Sequence, residues 1–198
     1  MPKQEKSTHE WQGATLPDYL CAGLDLVFVG LNPGLYSAQV GHYFAFKPNR
    51  FWPALSASGL VPEPVGPKDD GRLLNWGIGL TDIVKRPTRG IHELARQEFI
   101  DGAKALEDKL ARYQPHVVCF VGLTGYQICC REKRGLGVQP GKFGGASTFV
   151  IPSTSPRNAN YSLAQIVAAM RDLKKHVLAV EGRWSLSVMS DEGCEKTE

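Results

Sequence analysis

The chain of 198 residues is 42% hydrophobic and 22% charged, a balance typical of a globular domain in water. No apolar run reaches the roughly 18 residues that a membrane-spanning helix needs, and the polar start lacks a signal-peptide core. The net charge of +3 is compatible with binding to nucleic acid but is too small to indicate it. We expect one intracellular, cytoplasmic domain over residues 1–198, with loose ends at about 1–14 and 183–198.

The predicted elements alternate between strand and helix along the chain. Buried strands are predicted from four apolar runs, at residues 24–29, 77–84, 116–122 and 147–152. Helices are predicted over residues 49–58, 96–113 and 124–133, with a fourth that opens at the capping box beginning with Ser162. The Pro- and Gly-rich segment 61–71 and the Gly-rich basic segment 134–145 are predicted loops. This order predicts a three-layer α/β/α fold around a central, mainly parallel sheet of four to five strands.

The first predicted strand ends in a rigid polar loop with the sequence Gly-Leu-Asn-Pro-Gly, residues 30–34. Ligands of open α/β sheets bind beyond the carboxyl ends of the strands, so a site is expected at this loop. The segment that follows, residues 42–52, is rich in aromatic and basic side chains, and flat rings are able to stack on a nucleobase. The pattern therefore indicates a base-binding pocket that contains Asn32.

Two segments carry a resemblance to a known family. Gly-Leu-Asn-Pro-Gly-Leu at 30–35, followed by Pro-Asn-Arg-Phe-Trp at 48–52, is similar to the first motif of the mismatch-specific uracil/thymine-DNA glycosylases. These enzymes belong to the uracil-DNA glycosylase superfamily. The segment Pro-Ser-Thr-Ser-Pro-Arg-Asn at 152–158 resembles the thymine-glycosylase version of a later loop, and it departs from the Asn-Pro-Ser-Gly-Leu version of the bacterial enzymes. The resemblance spans roughly residues 16 to 176.

The resemblance implies a set of roles for individual residues. Asn32 would position the attacking water, and Phe44 would stack on a base flipped out of the duplex, with Leu31, Ser37 and Tyr43 completing the base-binding residues. The loop after the fourth strand would enter the minor groove with Arg157 at the wedge position. Its predicted DNA-binding residues are Ser153, Ser155, Pro156, Arg157 and Asn158. The basic residues on the loops after the first two strands are expected, as a group, at the phosphates; they are Lys47, Arg50, Lys85, Arg86 and Arg89.

Asp82 is a second catalytic candidate that the family pattern does not require. It lies at the end of the second predicted strand, and neighbouring strand ends converge on one crevice. A carboxylate there could accept a proton from water, which the amide of Asn32 cannot do, or stabilise positive charge on the sugar. The alternative is a loop cap or an ion pair with Lys85 or Arg86.

The resemblance implies a monofunctional glycosylase that removes uracil mispaired with guanine, and possible further substrates are thymine and modified pyrimidines. The partner would be double-stranded DNA with a mismatched or damaged base, the protein would act as a monomer, and in a bacterium it would associate with the nucleoid. No metal or organic cofactor is expected. The five cysteines form no C-x-x-C pair, so neither a structural zinc site nor a four-cysteine iron–sulfur site is indicated. The alternatives are a uracil glycosylase without mismatch preference and a non-catalytic nucleic-acid-binding domain. A Rossmann-like enzyme is disfavoured because no G-x-G-x-x-G follows the first strand.

Overall fold

A computed structural model of the chain describes residues 15–182 and 194–197. Its centre is one sheet in which seven strands lie in the order β5-β6-β4-β2-β3-β1-β7. The strands are β1 (Asp18–Cys21), β2 (Leu26–Gly30), β3 (Ile78–Asp82), β4 (Val117–Val121), β5 (Gly137–Phe143), β6 (Ala146–Ile151) and β7 (Cys194–Thr197). The four central strands, β6, β4, β2 and β3, are parallel. The outer strands β5, β1 and β7 run antiparallel to their neighbours.

Helices cover both faces of the sheet. They are α1 (Leu35–Val40), α2 (Phe51–Ser58), α3 (Arg96–Tyr113), α4 (Leu123–Cys130) and α5 (Leu163–Glu181), with short 3-10 helices at Pro67–Trp76 and Ile91–Glu93. Apolar side chains of α2 and α5 pack with Leu26 and Phe28 of β2 on one face. Those of α3 and α4 pack with Val27 and Val29 on the other face. Alternate residues of a central strand therefore pack against the helices on opposite faces of the sheet, which is why the central strands are continuous apolar runs. The predicted α/β/α class is confirmed.

The strand count is higher than the four to five that the sequence predicted. The four predicted strands correspond to β2, β3, β4 and β6, and the additional strands are short or irregular. β5 was predicted as a loop because it contains glycine and Pro140. It is an edge strand that pairs with β6 on one side only, and proline is tolerated in an edge strand. Its pairing shifts register between Val138 and Lys142. β7 lies within the predicted loose tail, and the rest of both predicted loose ends lies outside the described residues.

Local sequence signals account for most helix boundaries. Ser162 accepts a hydrogen bond from the N–H of Gln165 at 3.3 Å, and the Gln165 side chain accepts one from the N–H of Ser162 at 2.8 Å, so the predicted capping box opens α5. Helix α3 has the predicted bounds. Helix α4 ends at Cys130, earlier than predicted, and Leu163 at the start of α5 is exposed. Within the described residues, no helix is long and apolar enough to cross a membrane.

The parallel register fixes where a site forms. Gly30 at the end of β2 lies beside Asp82 at the end of β3, and the next N–H groups, from Ile83 and Val84, donate to the carbonyls of Gly30 and Leu31 at 3.0 Å. The loops after these two strands therefore leave the sheet together. This edge, at the carboxyl ends of the parallel strands, is where the fold concentrates polar side chains.

Candidate active site

A cleft of about 930 Å³ opens at the carboxyl ends of the parallel strands. Most of the predicted site residues line it, although they come from separate parts of the chain. The predicted residues in the cleft wall are Leu31, Asn32, Ser37, Tyr43, Phe44, Asp82, Ser153, Ser155, Pro156, Arg157 and Asn158. Of the basic residues predicted at the phosphates, Arg89 also lines this cleft, and Lys47, Arg50, Lys85 and Arg86 lie outside its lining as the described residues form it. The structure therefore brings the two resembling segments and Asp82 to one place.

Asn32 has its side-chain orientation fixed by three acceptors. Its Nδ2 donates to Thr88 Oγ1 at 2.8 Å, to the carbonyl of Arg86 at 3.0 Å and to that of Pro33 at 3.2 Å. Two of these acceptors are carbonyl oxygens, which cannot donate, so the nitrogen and not the oxygen of the amide must face them. Among the described residues, no donor reaches Oδ1. The amide therefore presents a fixed acceptor to the cleft, as the positioning of a water molecule requires.

Asp82 is a buried carboxyl group on the floor of the cleft. Only 4% of the residue is exposed. A methyl group at residue 30 would lie 2.2 Å from Asp82 Oδ1 and 3.6 Å from Phe44 Cζ, so glycine is required where the carboxyl and the ring flank β2. The other oxygen, Oδ2, is buried and has no hydrogen-bond partner in the described part of the chain.

The surroundings of Asp82 disfavour the ionised form of its carboxyl group. Burial raises the pKa of Asp82 to about 7; the ammonium groups of Lys85 and Lys109 oppose this rise, and the carboxylate of Asp18 adds to it. The alternative interpretation of Asp82, an ion pair with Lys85 or Arg86, is not observed among the described residues. Lys85 Nζ instead donates to Asp18 Oδ1 at 2.7 Å, and Arg86 pairs with a different carboxylate. Asp82 thus retains an uncompensated polar atom, which is costly unless a ligand or solvent satisfies it.

Phe44 forms one wall of the cleft. Its ring is half-buried and is stacked on Phe51, with ring centres 4.1 Å apart and an interplanar angle of 23°. Its backbone has a φ of 52°, a left-handed conformation that is uncommon for a bulky residue and that costs on the order of 1 kcal/mol or more. Phe51 and Trp52 are buried in the core. The buried Phe51 therefore supports Phe44 from beneath.

Ser37 and Tyr43 fasten the loop that carries Phe44. Ser37 Oγ accepts a hydrogen bond from the N–H of Ala45 at 3.1 Å. The N–H of Tyr43 donates to Asp70 Oδ2 at 3.1 Å, and its carbonyl accepts from Trp52 Nε1 at 2.8 Å. The N–H and the carbonyl of Tyr43 are thus both hydrogen-bonded within the protein. The hydroxyl hydrogen of Ser37 can still donate toward the cleft.

Residues 153–161, referred to below as the 153–161 loop, form a further part of the cleft wall. Within it, Asn158 Nδ2 donates to the carbonyl of Ser153 at 2.9 Å, and the N–H of Arg157 donates to Ser155 Oγ at 3.3 Å. Arg157 is exposed at the mouth of the cleft, and its Nη1 would lie 2.7 Å from a methyl group at residue 90. Gly90 therefore leaves room for this guanidinium group.

Of the basic residues around the cleft, Arg86 forms an ion pair within the protein and the others discussed here are exposed. Arg86 donates to both oxygens of Glu98, at 2.6 and 2.9 Å, so its charge is neutralised within the protein. Lys47 is exposed on the loop before α2 and lies outside the cleft wall. Arg89 and Arg157 are exposed and line the cleft. The described residues contain no group of three or more His, Cys, Asp or Glu side chains arranged to hold a metal ion.

Thr88 belongs to the site although the sequence did not single it out. It is 3% exposed, its Oγ1 accepts from Asn32, and its N–H donates to the carbonyl of Pro33 at 3.1 Å. A parallel bridge between Gly34 and Thr88 joins the loops that follow β2 and β3. The signal that could have found Thr88 is its place after the strand next to β2, because the loops of neighbouring parallel strands meet.

The match to a known family covers the whole of this arrangement. The sequence model of the uracil DNA glycosylase superfamily matches residues 17–175, which include β2, the Phe44 loop, β3 and the 153–161 loop. The match extends over most of the chain and contains every residue of the cleft discussed above. The chain belongs to the uracil DNA glycosylase superfamily.

Proposed function

We propose that the protein is a monofunctional DNA glycosylase that hydrolyses the N-glycosidic bond of uracil mispaired with guanine. Membership of the superfamily supports a uracil-DNA glycosylase that acts in DNA repair. The mismatch preference rests on the resemblance of the segments at 30–35, 48–52 and 152–158 to the mismatch-specific enzymes. The protein would act on double-stranded DNA as a monomer and would leave an abasic site.

The observation that carries the proposal is the fixed amide of Asn32 in a cleft that also contains a supported aromatic ring. Three acceptors hold Nδ2, so Oδ1 is oriented before any substrate arrives. Preorganised polar groups of this kind contribute to catalysis because they need no reorganisation during the reaction. A flipped base stacked on Phe44 would bring its sugar to the part of the cleft where Asn32 and Asp82 lie.

The reaction would break the bond between the base nitrogen and C1′ of the sugar. The base leaves with the bonding electrons, and the sugar takes on oxocarbenium character. A water molecule that donates one hydrogen bond to Asn32 Oδ1 then forms the new C1′–O bond. An amide cannot take up the proton that this water releases, so Asn32 contributes positioning and not base catalysis.

Asp82 would supply the charge that Asn32 lacks. With a pKa of about 7, it is about half ionised at neutral pH, and its ionised form could accept the proton of the water or stabilise the positive sugar. Its position beside Gly30 and Phe44 supports a role at the reacting end of the cleft. Asp82 and Asn32 would then act on the same water from neighbouring strands.

Asp82 also favours a second candidate function, a uracil-DNA glycosylase without mismatch preference. An enzyme with only a positioning amide depends on substrates whose base flips easily, such as mispairs. An additional carboxylate lowers the chemical barrier, so well-paired uracil opposite adenine would also be cleaved at a useful rate. The two candidates share the cleft and the chemistry, and they differ only in the range of pairs attacked.

Cleavage of matched, end-labelled oligonucleotides tests the proposal. Four substrates of one sequence are compared, with uracil opposite guanine, uracil opposite adenine, thymine opposite guanine, and uracil in a single strand. The expected result is rapid formation of alkali-labile abasic sites from the U:G duplex, without strand cleavage before alkali. Equal rates on U:G and U:A would favour the second candidate. Failure of every uracil substrate to give abasic sites would contradict both.

A further inference from the structure

Arg50 connects the start of α2 to the 153–161 loop. Its Nη2 donates to the carbonyls of Ser155 and Asn158, both at 2.7 Å, and its Nη1 donates to the carbonyl of Tyr161. Its backbone N–H donates to the carbonyl of Thr154 at 3.0 Å. Arg50 thus donates to four carbonyl groups of the loop, all of which lie more than 100 residues away from it in the sequence.

Among the residues that the structure describes, the remaining polar contacts of the loop are local. Those given above, from Asn158 to Ser153 and from Arg157 to Ser155, join residues within the loop and do not attach it to the rest of the protein. Arg50 forms no ion pair with a carboxylate among the described residues, and its Nε is buried without a partner there. The guanidinium group therefore binds the loop through charge-assisted hydrogen bonds to carbonyl oxygens alone.

The chemistry of these contacts requires arginine. A guanidinium group has a rigid planar fork of donors, and here two of its nitrogens reach three carbonyl oxygens at once. A lysine has a single nitrogen on a flexible stem, so it cannot satisfy acceptors that are spread over residues 155–161. Arg50 was grouped with the phosphate-binding candidates on its sequence position, but its donors point into the protein.

We propose that Arg50 is a positioning residue that holds the 153–161 loop, and hence Arg157, at the mouth of the cleft. It acts through the loop and does not touch the substrate. The inference rests on the proposed function, in which the loop occupies the gap left by a flipped base. Removal of Arg50 would loosen the loop while β2, β3 and their catalytic candidates keep their geometry.

This role predicts a loss that depends on the substrate. In a duplex, the flipped base leaves a gap beside a partner base, and a loop fixed at the cleft mouth helps to keep it open. In a single strand there is no partner base to displace, so the position of the loop matters less. A residue that only contributes stability would affect both substrates equally, since it changes the fraction of folded enzyme.

The test uses the full-length protein with Arg50→Met, Arg50→Lys and a matched control, Arg171→Met. Arg171 also donates to a backbone carbonyl of α2, that of Ala57 at 3.2 Å, but it lies on α5 outside the cleft wall. Hydrogen–deuterium exchange of peptides from 153–161 measures the loop directly. Rates of uracil release are measured on a U:G duplex and on the same strand without its complement.

For Arg50→Met we expect faster exchange in the loop with unchanged exchange in β2 and β3. We expect roughly 10²-fold lower kcat/KM on the duplex, the scale of a misplaced active-site element, and a change within about threefold on the single strand. Arg50→Lys should restore little of the loss, and Arg171→Met should match the parent.

Unchanged loop exchange, or equal losses on the two substrates, would overturn the positioning role, and so would full rescue by lysine. If Arg50→Met does not fold, the same comparisons on Arg50→Lys decide the question. A parent protein that releases no uracil from either substrate would contradict the proposed function. The exchange measurement would still test Arg50 in that case, so the two failures are distinguishable.

Discussion

Thr88 Oγ1 lies 2.8 Å from Asn32 Nδ2, and this contact joins the loops that follow two neighbouring strands. The hydroxyl oxygen is one of three acceptors that surround the amide nitrogen, and it is the only one from a side chain. The orientation of Asn32 can therefore be altered by substitution without changing Asn32 itself. A substitution of Thr88 therefore tests the orientation of the amide, whereas a substitution of Asn32 removes the amide itself.

Thr88→Val replaces the hydroxyl by a methyl group of similar size. The amide of Asn32 then loses one acceptor and turns more freely, so we expect kcat on the U:G duplex to fall about tenfold, the equivalent of roughly 1.4 kcal/mol. Thr88→Ser, which keeps the hydroxyl, serves as the control and should retain most of the activity. In the double variant with Asn32→Ala, the Thr88 substitution should have no further effect, since its target is absent. Additive losses would disprove the coupling.

Asn32→Ala removes the water-positioning amide and is expected to lower the cleavage rate by about 10²-fold or more, the scale of losing one preorganised polar group. Affinity for a U:G duplex, measured by fluorescence anisotropy, should change little because base stacking and phosphate contacts remain. Asn75→Ala, at an exposed site on the 3-10 helix Pro67–Trp76, is the matched control. Near-parent cleavage by Asn32→Ala would remove Asn32 from the mechanism.

The rate of cleavage should depend on the ionisation of Asp82. Since the pKa of Asp82 is raised to about 7 and the ionised form is the reactive one, the single-turnover rate should rise between about pH 6 and 8 and then level off. Asp82→Asn keeps the shape of the side chain but cannot ionise. We expect a lower rate for it that no longer rises through this range. A parent profile that is flat across pH 6 to 8 would argue against Asp82 as the catalytic base.

The same group should affect stability with a definite sign. In the unfolded chain Asp82 loses its proton near the ordinary value of 3.8, whereas in the folded protein it keeps it to about pH 7. Between these values the unfolded state binds fewer protons, so raising the pH destabilises the fold. The melting temperature of Asp82→Asn relative to the parent should therefore increase from pH 4 to pH 8. A difference that stays constant over this range would contradict the raised pKa.

Arg157→Ala tests the exposed guanidinium at the cleft mouth. If Arg157 fills the gap beside a flipped base, the variant should lose about tenfold more activity on U:A and U:G duplexes than on single-stranded uracil. Arg157→Lys retains the charge and distinguishes this from simple phosphate binding. A phosphate contact instead predicts weaker binding to every substrate, with the slope of log K against log salt reduced by about one for alanine and unchanged for lysine. Only the first pattern agrees with a wedge.

The sequence predicted the central strands and the meeting of Asn32 with Asp82, because both follow from short-range patterns. Apolar runs mark buried strands wherever both faces are covered, and parallel strands bring their carboxyl ends together. The edge strand β5 was missed because its glycines and Pro140 read locally as a loop. Its pairing with β6 decides its conformation, and such pairing is a tertiary effect.

The partners of charged side chains could not be predicted in the same way. Arg86 pairs with Glu98 and Lys85 with Asp18, although both cations follow Asp82 closely in sequence. The acceptors of Asn32 Nδ2 include groups 54 and 56 positions away. Such pairings depend on the positions of whole loops in the folded protein, and local sequence patterns do not indicate those positions. The sequence thus located the cleft but not the contacts that orient its side chains.

The close approach of Asp82 to Gly30 limits which residues can occupy position 30, and it has a consequence for enzyme engineering. A methyl group at residue 30 would stand 2.2 Å from the carboxyl oxygen, so alanine and this aspartate exclude one another. While aspartate occupies position 82, residue 30 must therefore remain glycine. In a related enzyme whose neighbouring strand lacks the glycine, installing such a carboxyl group requires two substitutions, and a single-site library would miss it.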